Sequence, residues 1–195
     1  MTKIENPETF WNARYQNNET GWDLKKVSPP LKDYIDSQTD KNLTILIPGC
    51  GNAYEAEYLL NKGFQHVTLI DIAPSLVNRL KEKFAGKPIK VICEDFFTHS
   101  NNYDLILEQT FFCAIDRSLR KQYVDKCFNL LNPNGKLAGL LFNREFEKAG
   151  PPYGGSAEEY RGLFESKFNL KQFGLCMNSI PPRQGSELFI ELEKK

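Results

Sequence analysis

Two short motifs in this 195-residue chain have the residue types needed to hold an adenine nucleoside. The first is Pro48-Gly49-Cys50-Gly51, a glycine turn that directly follows the apolar run 43–47. The second is Asp71, which ends another apolar run, 67–70. In an open α/β sheet, a tight glycine turn lets a ligand approach the backbone, and an acid at the next strand tip accepts hydrogen bonds from ribose hydroxyls. Turn glycines and capping aspartates also occur without a ligand, so a purely structural interpretation stays open.

Three cofactor classes compete for such a turn, and the residues after it distinguish them. A dinucleotide needs a small residue three positions after the second glycine, where helix and strand pack closely, and Tyr54 stands there. ATP needs a phosphate loop that contains a lysine, and this turn has none. S-adenosylmethionine has no phosphate, and it needs a polar–apolar pair for adenine, which Asp95-Phe96 supplies. The residues favour S-adenosylmethionine, and an NAD-dependent oxidoreductase is the weaker alternative.

The elements that must position these residues alternate between apolar strands and helices. A parallel sheet with helices on both faces is therefore predicted, ending in an antiparallel hairpin. The predicted strands are 43–47, 67–70, 89–93, 103–107, 136–142, 168–175 and 186–193. The predicted helices are one after Asn6-Pro7 and those at 31–37, 54–62, 74–84, 117–131 and 157–166. Asn132-Pro133-Asn134-Gly135 has turn composition and is predicted to separate helix from strand.

The first thirty residues differ from the rest, and both tryptophans of the chain lie in them, at Trp11 and Trp22. We expect a single domain over 1–195, made of this N-terminal lid (residues 1–30) and a core at 31–195. Aromatic residues outside the core elements are expected to close over a ligand. Alternatively, they only fasten the first helix to the domain.

Composition excludes several function classes. Twenty-five basic and 25 acidic residues cancel, so no global field attracts nucleic acid or an anionic membrane. No signal peptide or membrane-spanning run is apparent. Five cysteines without a C-x-x-C pair, together with two histidines, argue against a structural zinc site and for reduced, buried thiols in a cytoplasmic protein. We expect a monomer that acts on a small-molecule substrate, without a metal.

The chain resembles the thiopurine methyltransferase superfamily, and more closely its plant and microbial thiol/halide methyltransferase branch. The similarity runs nearly from end to end. It is most specific in the Pro-Gly-Cys-Gly turn and in Phe111-Phe112-Cys113-Ala114-Ile115. Further matching stretches are 10–15, 21–23, 28–31, 71–72, 94–97, 131–135, 151–153 and 180–185. Two positions depart from the family pattern, Tyr15 in place of tryptophan and Leu107-Glu108-Gln109 in place of a run that ends Asp-Tyr.

This resemblance implies a Rossmann-like class I methyltransferase with a seven-stranded sheet in the order 3-2-1-4-5-7-6, in which strand 7 is antiparallel. It implies S-adenosylmethionine as cofactor, leaving as S-adenosylhomocysteine. The implied cofactor-binding residues are Trp11, Tyr15, Trp22, Gly49, Gly51, Asp71, Asp95, Phe96 and Gln109. The implied substrate-binding residues are Phe112, Arg120, Tyr153 and Arg183. Structural alternatives remain for the second set: a core position for Phe112, a solvated Arg120, a loop anchor at Tyr153, and pairing of Arg183 with a surface acid.

The expected reaction is methyl transfer to a small soft nucleophile: a thiol, bisulfide, thiocyanate, halide or thiopurine-like acceptor. Such an in-line displacement needs positioning and desolvation more than acid–base groups. Aromatic faces suit a sulfonium, with contributions of roughly 0.5–2 kcal/mol each. A non-catalytic protein that binds S-adenosylmethionine or S-adenosylhomocysteine is the alternative, because Gln109 departs from the family pattern at the expected transfer site.

Overall fold

A computed structural model describes residues 4–195, which form a seven-stranded sheet in the order β3-β2-β1-β4-β5-β7-β6. All adjacent pairs are parallel except those made by β7, which is antiparallel to both β5 and β6. The strands are β1 (Thr44–Pro48), β2 (His66–Asp71), β3 (Ile89–Cys93), β4 (Tyr103–Gln109), β5 (Leu131–Phe142), β6 (Phe168–Leu175) and β7 (Glu187–Lys194). The predicted strand order and the antiparallel last strand are confirmed.

Within residues 4–195, six α-helices accompany the strands, and the first and the last of them begin with a side-chain N-cap. The six helices are α1 (Pro7–Gln16), α2 (Pro29–Ser37), α3 (Tyr54–Asn61), α4 (Pro74–Lys83), α5 (Arg120–Leu130) and α6 (Ala157–Phe164). Asn6 caps α1 by accepting a hydrogen bond from the Thr9 amide at 3.0 Å, and a proline follows in the first turn. Short 3₁₀ turns at Arg117–Leu119 and Pro181–Arg183 precede α5 and β7.

The helices cover both faces of the sheet, as predicted. On β1, Ile45 and Ile47 belong to one buried cluster and Leu46 to the other, which is the alternation expected of a strand buried on both sides. The first cluster includes buried residues of α2, α3 and α4, and the second includes those of α5 and α6. Within residues 4–195, no helix is long and apolar enough to cross a bilayer.

Strand β5 begins earlier than predicted. Leu131 pairs with Tyr103, whereas Lys136 already pairs with Leu105, so the four residues 132–135 bulge out of the ladder. Asn134 adopts a positive φ of 62° within this bulge. The prediction that this segment separates helix from strand is therefore wrong: β5 starts at Leu131, directly after α5, and residues 132–135 form a bulge within the strand.

The cysteine prediction is correct for four of five residues. Cys50, Cys113, Cys127 and Cys176 are buried free thiols, whereas Cys93 is exposed. Cys93 ends β3, the outermost strand on one side of the sheet.

Candidate functional site

The carboxyl ends of four parallel strands place the candidate residues along one edge of the sheet. β1 ends at Pro48, β2 at Asp71, β3 at Cys93 and β4 at Gln109. Pro48 is level with Ile70, and Asp71 is level with Cys93, so the strand ends lie side by side. Ligands bind at this edge in open α/β sheets.

The glycine turn after β1 has a backbone that other residues adopt only with strain. Gly49 has φ +54° and Gly51 has φ +51°, both in the left-handed region. A Cβ atom on Gly49 would lie 2.8 Å from Cγ of Phe111 and 3.0 Å from its Cβ. The turn after β1 is therefore in close contact with the turn after β4.

Asp71 is buried behind the glycine turn, with its carboxylate directed at backbone amides. Its Oδ2 accepts a hydrogen bond from the Gly51 amide at 3.3 Å, and its Oδ1 accepts one from the Ala73 amide at 3.0 Å. Burial raises the pKa of Asp71 to about 6, and these backbone hydrogen bonds oppose the rise. A buried carboxylate with unused acceptor capacity suits the hydroxyl donors of a ribose.

The N-terminal lid docks on this edge through polar contacts. The Asn12 side chain accepts a hydrogen bond from the Ser75 amide at 2.9 Å and so caps the start of α4. The Asp23 carboxylate accepts hydrogen bonds from Asn52 Nδ2 at 2.7 Å and from the Tyr54 hydroxyl at 3.3 Å. Tyr54, the bulky residue at the third glycine position of a dinucleotide fingerprint, thus helps hold the lid.

The three lid aromatics come together as one cluster beside the glycine turn. The Trp22 ring packs edge-on against Trp11 and Tyr15, at centroid distances of 5.4 and 5.7 Å. A Cβ atom on Gly51 would lie 3.4 Å from the Tyr15 hydroxyl oxygen. Burial, followed by the nearby charge of Asp71, raises the pKa of Tyr15 well above its usual value, so the phenol is neutral.

The predicted adenine pair has one exposed and one buried member. Asp95 is exposed, and its Oδ1 accepts a hydrogen bond from the Phe97 amide at 2.9 Å. Phe96 is only 4% exposed and packs edge-on against Phe97 and Phe111. Phe96 therefore lies in the aromatic core directly behind the end of β3.

His99 was not singled out from the sequence, yet it holds the turn that carries Asp95. Its Nδ1 contacts the Glu94 carboxylate, and its Nε2 lies 2.7 Å from the Tyr103 hydroxyl. The His99 amide also donates to the Asp95 carbonyl at 3.2 Å. The histidine is 4% exposed. No sequence pattern signals this set, because its members come together only through the turn between β3 and β4.

Glu108 is a second buried residue whose role was not recognised from the sequence. Its Oε1 accepts hydrogen bonds from the amides of Phe111 and Phe112 at 2.7 and 2.9 Å, and its Oε2 accepts one from the Tyr123 hydroxyl at 2.7 Å. Gly139 on β5 leaves room for it, since a Cβ atom there would lie 2.8 Å from Glu108 Cα. Burial raises the pKa of Glu108 to about 7. Glu108 thus shapes the turn that follows Gln109.

Gln109 and Tyr153 have buried polar side-chain atoms without a hydrogen-bond partner among residues 4–195. Neither Nε2 nor Oε1 of Gln109 makes a hydrogen bond to any residue of 4–195, and the same holds for the Tyr153 hydroxyl. The Tyr153 amide donates to the Cys113 carbonyl at 2.7 Å, which fixes its loop against the turn after β4. Buried polar atoms of this kind are normally satisfied, so these two side chains are candidates for contact with a bound ligand.

The structure does not place Phe112 and Arg120 at an open surface. Phe112 is 1% exposed and packs against Tyr160 and Phe164, as its core alternative proposed. Arg120 is 2% exposed, so the solvated alternative for it is wrong. Its guanidinium donates to Glu159 Oε1 at 2.6 Å.

Arg120 also bonds to the loop that carries Tyr153. Its Nη2 donates to the Gly154 carbonyl at 2.8 Å and to the Tyr153 carbonyl at 3.4 Å. Arg120 therefore holds the loop of Tyr153 in place through the backbone of that loop.

Arg183 bonds to the lid and to β7. It donates to the Trp22 carbonyl and to Glu187, and Glu187 is buried rather than the surface acid that the structural alternative proposed.

The site fits an adenosyl group with a sulfonium better than a dinucleotide. The amides of Cys50 and Gly51, which would face a phosphate in a nucleotide loop, donate instead to the carbonyl of Ile70 and to Asp71. An aromatic cluster lies beside the turn, and the unpartnered amide of Gln109 lies at the end of β4. Among residues 4–195, no three His, Cys, Asp or Glu side chains group in a way that could hold a metal ion.

Comparisons with known proteins agree with this geometry. A family model for thiopurine S-methyltransferase matches residues 6–187. The probable thiol methyltransferase 2 of Arabidopsis thaliana is 33% identical over 191 residues, covering 94% of this chain and 84% of that protein. The thiopurine S-methyltransferase of Vibrio campbellii is 28% identical, covering 81% of this chain and 82% of that protein.

Solved structures support the same fold. A Burkholderia thailandensis 1,6-didemethyltoxoflavin-N1-methyltransferase with bound S-adenosylhomocysteine superposes with a TM-score of 0.80 at 15% identity, covering 100% of this chain and 93% of that one. The chain therefore belongs to the thiopurine S-methyltransferase family, in its thiol methyltransferase branch, and is an S-adenosylmethionine-dependent methyltransferase.

Proposed function

We propose that this enzyme methylates a small sulfur nucleophile or a similarly soft anion, and that it does so without a general base. The observation that carries the proposal is that the two buried acids, at the ends of β2 and β4, are held in place by hydrogen-bond donors of the protein. Asp71 accepts from the Gly51 and Ala73 amides, and Glu108 accepts from two amides and from the Tyr123 hydroxyl. A thiolate or halide needs no proton removed, whereas a hydroxyl or amine does.

The histidines also lie away from the proposed transfer point. His66 begins β2, at the opposite edge of the sheet from Gln109, and His99 is engaged by Glu94 and Tyr103. The relatives support the same acceptor class, since they are named for thiol, thiocyanate and thiopurine acceptors, all of which offer sulfur.

The cofactor supplies a methyl group on a sulfonium, which is already activated for displacement. The proposed cofactor contacts are Trp11, Tyr15 and Trp22 on the sulfonium side, Gly49 and Gly51 at the methionine end, Asp71 at the ribose, and Asp95 with Phe96 at the adenine. The three aromatic rings on the sulfonium side attract a cation through their quadrupoles. Closure of the lid over this edge excludes water, which strengthens that attraction and leaves a small anion poorly solvated.

For the acceptor we propose contact with Tyr153 and also with Gln109, which the family resemblance assigned to the cofactor. An amide and a phenol offer donors to an anion without adding a positive charge that would repel the sulfonium. Phe112 and Arg120 are nearly fully buried, so their proposed role is to support these two residues without contacting the acceptor. The monomeric state, the single-domain organisation and the cytoplasmic location remain predictions.

An acceptor screen tests the proposal, with S-adenosylhomocysteine release as the measurement. The panel contains a thiol, bisulfide, thiocyanate, iodide and a thiopurine, matched against a phenol and an amine. Turnover is expected only with the soft acceptors. For two thiols of different acidity, the pH at which turnover rises should follow the pKa of each thiol, because no enzyme group removes the proton. Turnover of the phenol or amine alone, or a pH profile that ignores the thiol, would contradict the proposal.

A further inference from the structure

Arg183 connects two parts of the molecule that lie far apart in the sequence. Its Nη2 donates a hydrogen bond to the Trp22 carbonyl at 2.9 Å, and its Nη1 lies 3.2 Å from Glu187 Oε1. Its guanidinium also lies 5.4 Å from the centre of the Phe142 ring. The Arg183 side chain is 11% exposed and the Glu187 side chain 3%. Hydrogen bonds from a charged donor are stronger than neutral ones, above all where water is excluded.

The arginine is itself held in place before it reaches the lid. It lies in the 3₁₀ turn Pro181–Arg183, where two prolines restrict the backbone. The Ser186 hydroxyl donates to the Arg183 carbonyl at 2.9 Å, and the Ser186 amide donates to it at 3.1 Å. The buried Glu187 carboxylate then fixes one side of the guanidinium, so the other side is aimed at the Trp22 carbonyl.

The bond to Trp22 acts at the centre of the aromatic cluster. The Trp22 ring contacts both Trp11 and Tyr15. On the other side of the same peptide, the Asp23 side chain accepts a hydrogen bond from Asn52. Two contacts therefore hold the backbone between residues 22 and 23. One comes from Asn52, and the other comes from Arg183 in the connection between β6 and β7.

We propose that Arg183 is a positioning residue: it holds the N-terminal lid closed and acts on the cofactor through Trp22, instead of contacting the methyl acceptor. This inference rests on the proposed role of Trp22 beside the sulfonium. It assigns the Ile180-Pro181-Pro182-Arg183 segment to lid closure, and it predicts that loss of the guanidinium weakens cofactor binding more than acceptor binding.

Both tryptophans of the chain lie in the lid, so tryptophan fluorescence reports on the lid alone. The variants are Arg183→Lys, Arg183→Gln, and the double variant Arg183→Met with Glu187→Leu. The double variant keeps the test valid if Arg183→Gln fails to fold, since removing both partners of a buried ion pair avoids an uncompensated charge. Arg161→Gln is the matched control, because that guanidinium lies over the Phe173 ring, away from the lid.

Acrylamide quenching of tryptophan fluorescence should increase in the double variant before any cofactor is added, and should be unchanged in the Arg161 control. The dissociation constant of S-adenosylhomocysteine should rise about tenfold, as expected for loss of a hydrogen bond to a charged group. Acceptor KM, measured at saturating cofactor, should change much less. Arg183→Lys should be intermediate, because one ammonium cannot reach both the carbonyl and the carboxylate in the same geometry.

Unchanged quenching, or increased quenching with unchanged cofactor affinity, would overturn the inference. An effect confined to acceptor KM would also overturn it and would return Arg183 to the substrate side. If the wild-type protein does not bind S-adenosylhomocysteine, the proposed function fails. The quenching comparison still decides in that case whether Arg183 holds the lid.

Discussion

Substituting Gly49 by alanine should damage both stability and cofactor binding, and the two causes can be separated. Alanine at a φ of +54° costs about 1–2 kcal/mol, because its Cβ crowds the carbonyl oxygen in the left-handed region. The new Cβ would also lie 2.8 Å from Cγ of Phe111. That ring has little room to move, since it packs against Phe96 and Tyr123. Overpacking of this kind adds about 1–3 kcal/mol.

Gly86→Ala is the matched control. Gly86 has a similar φ of +71°, but no described atom lies within 4 Å of its would-be Cβ. Only the backbone cost of about 1–2 kcal/mol should remain there. For a protein of this size, 1 kcal/mol shifts Tm by about 2–4 °C. We therefore expect Gly49→Ala to lower Tm by roughly 10 °C and Gly86→Ala by roughly 4 °C.

Thermal unfolding monitored by circular dichroism measures the loss of stability. Calorimetric titration with S-adenosylhomocysteine measures the loss of cofactor affinity. Only Gly49→Ala should weaken cofactor binding, because Phe111 and the glycine turn must move apart to make room for the alanine side chain. Equal Tm shifts for the two variants, or full cofactor affinity in Gly49→Ala, would refute the reasoning that contact between the two turns shapes the site.

Three further substitutions test other parts of the site. Asp71→Asn should weaken S-adenosylhomocysteine binding about tenfold or more in calorimetric titration, since a neutral amide accepts hydrogen bonds from ribose hydroxyls less well than a carboxylate. Glu108→Gln should flatten the pH dependence of the unfolding free energy measured in urea. The Glu108 pKa is raised from 4.5 to about 7 in the folded protein, so its contribution to stability is complete below about pH 4.5 and is lost as pH rises through 7, a change on the order of 3 kcal/mol. Arg120→Met should raise acceptor KM in steady-state assays with little effect on cofactor affinity, because Arg120 bonds to the carbonyls of Tyr153 and Gly154.

Each of these three predictions has an outcome that would contradict it. Asp125→Asn, at a surface acid paired with Lys121 and Lys167, is the control for Asp71→Asn, and equal cofactor affinity in the two variants would remove Asp71 from the site. An unchanged difference in unfolding free energy between pH 5 and pH 8 would show that Glu108 does not ionise in that range. Loss of cofactor affinity in the Arg120 variant would show that its role extends beyond the acceptor loop.

The central strands were predictable because their apolar runs are buried on both faces of the sheet, whereas the strand order followed from the family resemblance. Ile45, Leu46 and Ile47 alternate between the two buried clusters, and that double burial gives a continuous apolar run in the sequence. The start of β5 was not predictable in the same way. Asn132-Pro133-Asn134-Gly135 has turn chemistry, and nothing local indicates that Leu131 already pairs with Tyr103.

The candidate site was predictable where a residue type follows a strand end, and not where distant side chains meet. Gly49, Gly51 and Asp71 were found from the motif and its spacing. The partners of Glu108, by contrast, lie up to 15 residues away, on the Tyr123 hydroxyl and on backbone amides. A glutamate inside an apolar strand looks like a mere departure from the family pattern until those partners are known.

The placement of β7 between β5 and β6 links the hairpin at one edge of the sheet to the N-terminal lid. β6 pairs only with β7, so the β6–β7 hairpin is joined to the hydrogen-bond ladder of the sheet through the pairing of β7 with β5. Arg183 lies in the connection between these two strands. Arg183 therefore reaches the Trp22 carbonyl only while the hairpin is in place, and local opening of the hairpin removes this one of the contacts that hold the lid. On the proposed role of Arg183, the hairpin that completes the sheet also helps to close the cofactor site.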